Sequence, residues 1–143
     1  MIAVLADDFT GAAELAGISL VYFNKVQVGM QYVPEKSDAE VLIICSDSRS
    51  VPEKEAVQIT AAILEKILPF HPFFIYKKTD SVLRGHVIAE LKIQMEQSKL
   101  SKALYKLRYF DTCLITGIVT KPKHKSSFPL VCEKEDDLKY VFL

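Results

Sequence analysis

Two adjacent carboxylates, Asp7 and Asp8, stand at the end of the short apolar run 2–6, followed by the hydroxyl of Thr10 and by Gly11. Adjacent acids repel one another, and the pairing is tolerated when a cation, a metal or a polyhydroxylated ligand engages both. Two later apolar runs end in the same way. Residues 41–45 give way to Ser46-Asp47-Ser48-Arg49-Ser50, and residues 73–76 to Lys77-Lys78-Thr79-Asp80-Ser81, with Arg84-Gly85 close behind. Each cluster mixes groups that accept hydrogen bonds from hydroxyls with cations that hold an anion. That mixture suits a small polyhydroxylated acid or a phosphorylated sugar better than an apolar ligand.

Each cluster also has an ordinary structural use. Asp8 or Thr10 taken singly serves as a helix cap, Ser46 to Ser50 as a turn and cap, and Lys77-Lys78 as a solvated pair. Recurrence sets the three apart. Lys-Thr-Asp-Ser followed by Arg-Gly puts an acid, two hydroxyls and two kinds of cation into one turn. His71 and His86 lack partners at ligand spacing, so no metal site is predicted.

The elements that must position these groups follow from periodicity. Residues 2–6, 41–45 and 73–76 are too short for helices and read as buried strands, while 25–32 alternates like a half-exposed strand. A first helix is predicted from Thr10 or Gly11 to about Phe23. Its early face of Gly11, Ala12, Ala13, Ala16 and Gly17 lets it approach a sheet closely. Ser50 and Glu53 have capping-box spacing, Pro52 stands in the first turn, and Ala56, Ile59, Ile63 and Ile67 form the stripe of a second helix closed by Pro69 and Pro72. A third helix follows Gly85, with Ile88, Leu91 and Met95 predicted inward and Glu90, Lys92 and Glu96 outward. Alternating strands and helices imply an α/β three-layer sandwich, Rossmann-like, with a mostly parallel sheet. Ligands bind outside the carboxyl ends of strands in such sheets, so the three clusters converge on one edge.

Residues 1–97 form the core of this reading. The stretch 98–143 continues the same domain with a weaker pattern: 103–107 and 113–115 read as short strands, and 120–137 as a loop or tail crowded with lysine, proline, serine and acids. Eighteen basic residues balance eighteen acidic ones, which gives no field to recruit nucleic acid or an acidic membrane. Cys45, Cys113 and Cys132 are odd in number and include no CxxC pair, in keeping with a reduced, cytoplasmic setting. Met1 leads into the first strand without a basic leader, and no apolar stretch approaches the roughly 20 residues a bilayer span needs. A homo-oligomer is compatible with these features.

Three motifs in order carry a family resemblance. Residues 2–14, reading from Ile2 through Asp7-Asp8-Phe9-Thr10-Gly11 to Glu14, resemble the opening motif of the four-carbon acid sugar kinases, long grouped as a domain of unknown function. Ser46-Asp47-Ser48-Arg49-Ser50 resembles the second motif. Tyr76 through His86 resembles the third, usually written KTDSTLRG. Glu14 replaces a frequent Asp and Val82 a frequent Thr, and neither change removes a charge from the site.

The resemblance implies ATP-dependent phosphorylation of a tetronate such as erythronate or threonate. An amino-terminal domain binds the small-molecule sugar acid, and a separate carboxyl-terminal domain binds ATP with Mg. Carried over, Asp7, Asp8, Arg49, Lys78, Asp80 and Arg84 line the sugar-acid site, with Thr10 and Asp47 beside them. Arg49 and either Arg84 or Lys78 are expected to grip the carboxylate. Asp7, Asp8 and Asp80 accept from hydroxyls, and Asp8, at the start of a helix whose dipole favours its ionised form, is the chosen catalytic base. The family's nucleotide domain has no counterpart in these 143 residues. GxxxxGK[ST] and GxGxxG are both missing, and the five glycines are scattered, so no cofactor is expected on this chain alone and no turnover from it. Two other readings stay open: a receiver-like phosphoacceptor domain using Asp7-Asp8, Asp47, Thr79 and Lys121-Pro122, and a catalytically dead sugar-acid-binding module.

Overall fold

In a computed structural model, β1 (Ile2–Ala6), β3 (Val41–Cys45) and β4 (Phe74–Lys78) lie side by side and parallel, with Ala6 level with both Cys45 and Lys78. The residues described are 1–99 together with the strands at 103–110, 113–120 and 139–141. β2 (Val26–Met30) pairs parallel with the outer side of β3. Beyond β4 the sheet continues antiparallel through β6 (Cys113–Thr120), β5 (Ala103–Phe110) and β7 (Lys139–Val141). The order is β2-β3-β1-β4-β6-β5-β7. The segments expected to be short strands, at 103–107 and 113–115, are eight-residue strands. Cross-strand pairing extends both segments beyond the expected bounds: β5 and β6 pair with one another from Leu104 opposite Val119 to Phe110 opposite Cys113. The expected loop or tail at 120–137, and with it Lys121-Pro122 and Cys132, falls past Thr120 and outside the described residues.

Helices cover the parallel part on both faces, as the period-two pattern of the strands requires. Ala3 and Leu5 of β1, Leu42 and Ile44 of β3, and Ile75 of β4 pack against Ile63, Leu64 and Ile67 of α2 (Glu53–Ile67). The alternate residues Val4, Ala6, Val41, Ile43 and Cys45 pack against Ala12, Leu15 and Ala16 of α1 (Phe9–Tyr22). α3 (Val87–Gln97) lies on the α2 side, joined to it through their shared contacts. This is a three-layer, Rossmann-like α/β architecture. Its strand order differs from the 2-1-3-4-5 order of a receiver domain, and β1 is central here, flanked by β3 and β4. The receiver reading fails on that order.

Two local expectations are corrected. The Ser50 capping box does not form: α2 starts at Glu53 behind Pro52 without a side-chain cap, and Ser50 lies in a preceding turn. Pro52 already fixes the entry, and Glu53 and Glu55 complement the helix dipole. In α3 the inward face is Val87, Glu90, Leu91, Gln94 and Met95, and Ile88 is exposed. Glu90 turns inward because Lys77 of β4 waits beneath it.

Two glycines give opposite tests of this packing. A Cβ at Gly29 in β2 would stand 2.0 Å from the Tyr32 carbonyl oxygen, whereas one at Gly17 in mid-α1 meets nothing within 4 Å. Gly29→Ala is therefore expected to destabilise by about 1–3 kcal/mol through overpacking against backbone. Gly17→Ala is expected to stabilise by about 0.5–1 kcal/mol, the usual helix penalty of glycine. Urea unfolding of both variants checks the signs, and equal stability would refute the close turn behind β2.

Candidate functional site

The carboxyl ends of β3, β1 and β4 bring the three motifs together, as level registers dictate. Arg49 is the hub. Its Nε and Nη2 donate to the two oxygens of Asp7 at 3.0 and 2.9 Å, a bidentate fork, and its Nη1 donates to Asp8 Oδ2 at 2.7 Å. The same Nη1 lies 3.6 Å from Asp80 Oδ1. Asp7 and Asp8 coexist at the end of β1 because one guanidinium neutralises both. These contacts, led by that with Asp7, hold the Arg49 pKa above its ordinary value.

Asp80 is a second hub. Its Oδ1 accepts from Arg84 Nη2 at 2.7 Å, and its Oδ2 from Arg84 Nε and from the backbone N–H groups of Val82 and Arg84. The Arg84 guanidinium, aided by those N–H groups and against the pull of burial, holds the Asp80 carboxyl far below the usual carboxylate range. The chain winds around this carboxylate with Leu83 at φ 61° and Gly85 at φ 84°, both left-handed. Gly85 also has to lie close to Arg49, whose Cα would be 3.5 Å from any Cβ there.

Asp8 serves two ends. One oxygen caps α1 by accepting from the Gly11 N–H at 2.9 Å, and the other faces Arg49. Asp8 is therefore at once the cap of α1 and a member of the charged cluster. A side chain at position 11 is excluded, since its Cβ would stand 2.9 Å from Asp8 Oδ1 and 3.0 Å from Lys78 Cγ.

Exposure divides the group. The side chains of Asp7 and Asp80 are 4% and 6% exposed, whereas Asp8 is 23% and Arg84 68% exposed. Lys78 is enclosed, its Nζ donating to the Thr79 carbonyl and lying 3.5 Å from Glu14. Thr10 is exposed on the first turn of α1 outside this network, and Asp47 is exposed at a left-handed φ of 50°. Geometry thus joins Asp7, Asp8, Arg49, Asp80 and Arg84, sets Lys78 on the α1 side, and leaves Thr10 and Asp47 at the rim.

A buried layer beneath the site includes a residue that sequence reasoning assigned to solvent. Glu90 pairs with Lys77 and accepts from Ser48 Oγ, which contacts Ser46 Oγ at 2.8 Å. The signal available was the tandem Lys77-Lys78: in a strand, one of two successive lysines must face the core side. Cys45 lies in the α1-side core, where burial pushes its thiol pKa up, helped by the negative charge of Asp47, Asp8 and Asp7. No cluster of His, Cys, Asp and Glu among the described residues is arranged to hold a metal ion. No described helix is long and apolar enough to cross a membrane.

Comparison with known proteins gives this constellation a context. A D-threonate kinase of Salmonella typhimurium is 32% identical over 105 residues, covering 71% of this chain and 24% of that protein. A domain-of-unknown-function protein from Bordetella bronchiseptica, crystallised with citrate as a domain-swapped dimer, superposes with a TM-score of 0.61 at 27% identity. That match covers 68% of this chain and 26% of the other. A Haemophilus influenzae protein of the same group superposes with a TM-score of 0.61 at 19% identity over 79% of this chain and 31% of its own, a likeness of fold. The chain therefore spans about a quarter to a third of the length of these relatives. The profile of the sugar-binding N-terminal domain family matches residues 2–113, and the chain belongs to that family.

Proposed function

We propose that this domain supplies the sugar-acid subsite of an ATP-dependent kinase that phosphorylates a four-carbon sugar acid of the erythronate or threonate type. The observation that carries the reading is the pairing of one open cation with one open carboxylate. Arg84 presents its outer edge to solvent, and Asp8 is the most accessible of the three clustered acids. Between them Arg49 and Asp80 form a fixed bridge. A hydroxylated carboxylate matches that polarity, its anion toward Arg84 and a hydroxyl toward Asp8. Arg49 is spent on Asp7 and Asp8 and Lys78 is enclosed, which moves the carboxylate-gripping role to Arg84. The kinase relative acts, by its name, on such an acid, and the Bordetella protein holds citrate, a hydroxylated carboxylate.

Asp8 is the proposed base. A catalytic acid or base must reach the substrate hydroxyl, and Asp7 and Asp80 are closed in by their arginines. Asp8 accepts from Arg49 and from the first turn of α1, which hold its carboxylate in place. Taking the proton of the substrate hydroxyl on Asp8 is the part of the reaction this chain would contribute.

The described residues do not fit ATP or Mg. The three clustered carboxylates face guanidinium groups, and no glycine-rich loop stands between a strand and a helix here. Nucleotide and metal belong, in this proposal, to other parts of a complete enzyme. A sugar-acid-binding module without turnover is what the isolated chain then amounts to.

Calorimetric titration of the chain with threonate and erythronate tests the reading, with threitol as the control lacking the carboxylate and succinate as the control lacking hydroxyls. Binding of a tetronate and neither control is expected, and Arg84→Met should weaken it roughly tenfold to a hundredfold, the loss of about 1.5–3 kcal/mol for hydrogen bonds to a charged group. Failure of every four-carbon sugar acid to bind would overturn the proposal. In the full-length Salmonella kinase, Asn at the position matching Asp8 should lower turnover by about 10²–10⁴-fold while leaving sugar-acid binding in place. Near-normal turnover would remove Asp8 from the role.

The paired acids also set an acid limit. Because the folded Asp80 pKa lies below its unfolded value, its contribution to stability is present above about pH 4 and is lost as pH falls toward the folded pKa. Asp80→Asn should be less stable than the parent at neutral pH and should lose less stability between about pH 4 and pH 2. Thermal melts across that range check the slope.

A further inference from the structure

Beneath the open site lies a sealed polar relay that no ligand can touch. The side chains of Lys77 on β4 and Glu90 on α3 are each 1% exposed and pair with one another. The other oxygen of Glu90 accepts from Ser48 Oγ, and Ser48 Oγ contacts Ser46 Oγ at 2.8 Å. Ser46 in turn donates from both its N–H and its hydroxyl to the Ala6 carbonyl at the end of β1, at 2.8 and 3.0 Å. The two serine hydroxyls have two protons for three contacts. With the Ser48 proton given to Glu90, that of Ser46 is shared between Ala6 and Ser48.

Within the turn, the relay's member Ser48 stands one residue before Arg49. On the far side of Arg49, His86 at the start of α3 bonds through Nε2 to the Val51 carbonyl at 2.6 Å. Gly85 faces the Arg49 backbone between these ties, and the Arg49 N–H donates to the Asp7 carbonyl at 3.2 Å. The turn that presents the guanidinium is therefore gripped by α3 on both flanks. Asp47, inside the turn, adopts a left-handed φ of 50°, which the ties on either side must hold.

A buried ion pair is poor evidence for stability, since apolar residues of similar volume often replace one without loss. Two charges and two hydroxyls buried under a site need another rationale, and the geometry points to placement. We propose that Glu90 is a positioning residue: held by Lys77, it fixes through Ser48 the turn that aims Arg49 at Asp7 and Asp8. The link to ligand affinity rests on the sugar-acid reading above, whereas the placement of Arg49 does not.

Three variants of the full chain separate placement from simple structural support. Ser48→Ala keeps the Lys77–Glu90 pair and cuts its tie to the turn. The double variant Lys77→Met with Glu90→Leu replaces the pair by apolar groups. Glu90→Gln leaves Lys77 buried without its anion. The first readout needs no ligand: the Arg49 Nε–H resonance in ¹⁵N-labelled protein, sharp and slow to exchange while bonded to Asp7. The second is the melting temperature, and the third is threonate affinity by calorimetry.

Ser48→Ala and the double variant are expected to melt cooperatively near the parent temperature, yet to show a broadened, fast-exchanging Arg49 Nε–H. Their threonate affinity should fall roughly tenfold or more, the scale on which supporting residues act in other sites. Glu90→Gln is expected to melt well below both, as an uncompensated buried charge requires. An Arg49 Nε–H as protected in Ser48→Ala and the double variant as in the parent would overturn the proposal. If the parent binds no tetronate while the resonance responds as expected, the functional reading falls and the placement of Arg49 by Glu90 stands.

Discussion

Two carboxylates in succession at the end of a buried strand require a shared counter-charge, and Arg49 meets that requirement from the neighbouring strand. Its planar fork matches the Asp7 carboxylate with two hydrogen bonds, and its remaining nitrogen reaches Asp8 and approaches Asp80. A lysine could neutralise one acid but could not span three. The reach depends on register: Ala6 beside Cys45 and Lys78 brings the next residues of three strands within a side chain's length. Register depends in turn on β3, whose five residues are all buried, so that a slip of one residue would exchange the sides facing α1 and α2. Core alternation and site charge are one constraint.

The bridge leaves the site with an inner and an outer set of charges. Asp7 and Asp80 are consumed in bidentate pairs and act as fixed parts, while Asp8 and Arg84 keep access to solvent. Under the proposed function, a site already paired in this way is rigid before a ligand arrives, which limits the ordering cost of binding. The rigidity has its own cost. Leu83 stands at φ 61° in the turn around Asp80, and left-handed backbone at a residue other than glycine costs on the order of 1–3 kcal/mol. Burial of Leu5, Leu42, Ile43, Ile44 and Ile75 in the sheet, each worth roughly 1.5–3 kcal/mol, is large enough to carry that strain.

Sequence reasoning located the parallel strands, the three helices and the convergence of the motifs because each rests on a local rule. Continuous apolar runs such as 41–45 are strands buried on both faces, and the acids that follow them mark the carboxyl ends. It misjudged the face of α3 because a helical wheel counts Glu90 as polar and Ile88 as apolar, whereas the partner that buries Glu90 lies thirteen residues away on β4. It expected a capping box at Ser50, although Pro52 alone sets the helix entry. It took Arg49 as a ligand group. Only the distances show that three of its five N–H donors already face Asp7 and Asp8. Sequence reasoning reads β5 and β6 only as the short stretches 103–107 and 113–115, because their full length rests on pairing with each other, which is not a local signal.

The tandem Lys77-Lys78 shows how far one strand rule extends. Successive residues of a strand point to opposite faces, so the pair cannot behave as one solvated patch once β4 enters the sheet. Lys77 turns to the α2 and α3 side and meets Glu90, while Lys78 turns to the α1 side and approaches Glu14. Each lysine has its own glutamate, one from the helix before the site and one from the helix after it. The two helices are thereby tied to the same strand end from opposite faces, with Asp8 capping one and Gly85 leading into the other. Lys78 also closes the space beside Gly11, so the first turn of α1 cannot shift without disturbing the strand beneath it. A dipeptide that composition reads as surface charge is, in the fold, the two-sided anchor of the charged edge at the carboxyl ends of the strands.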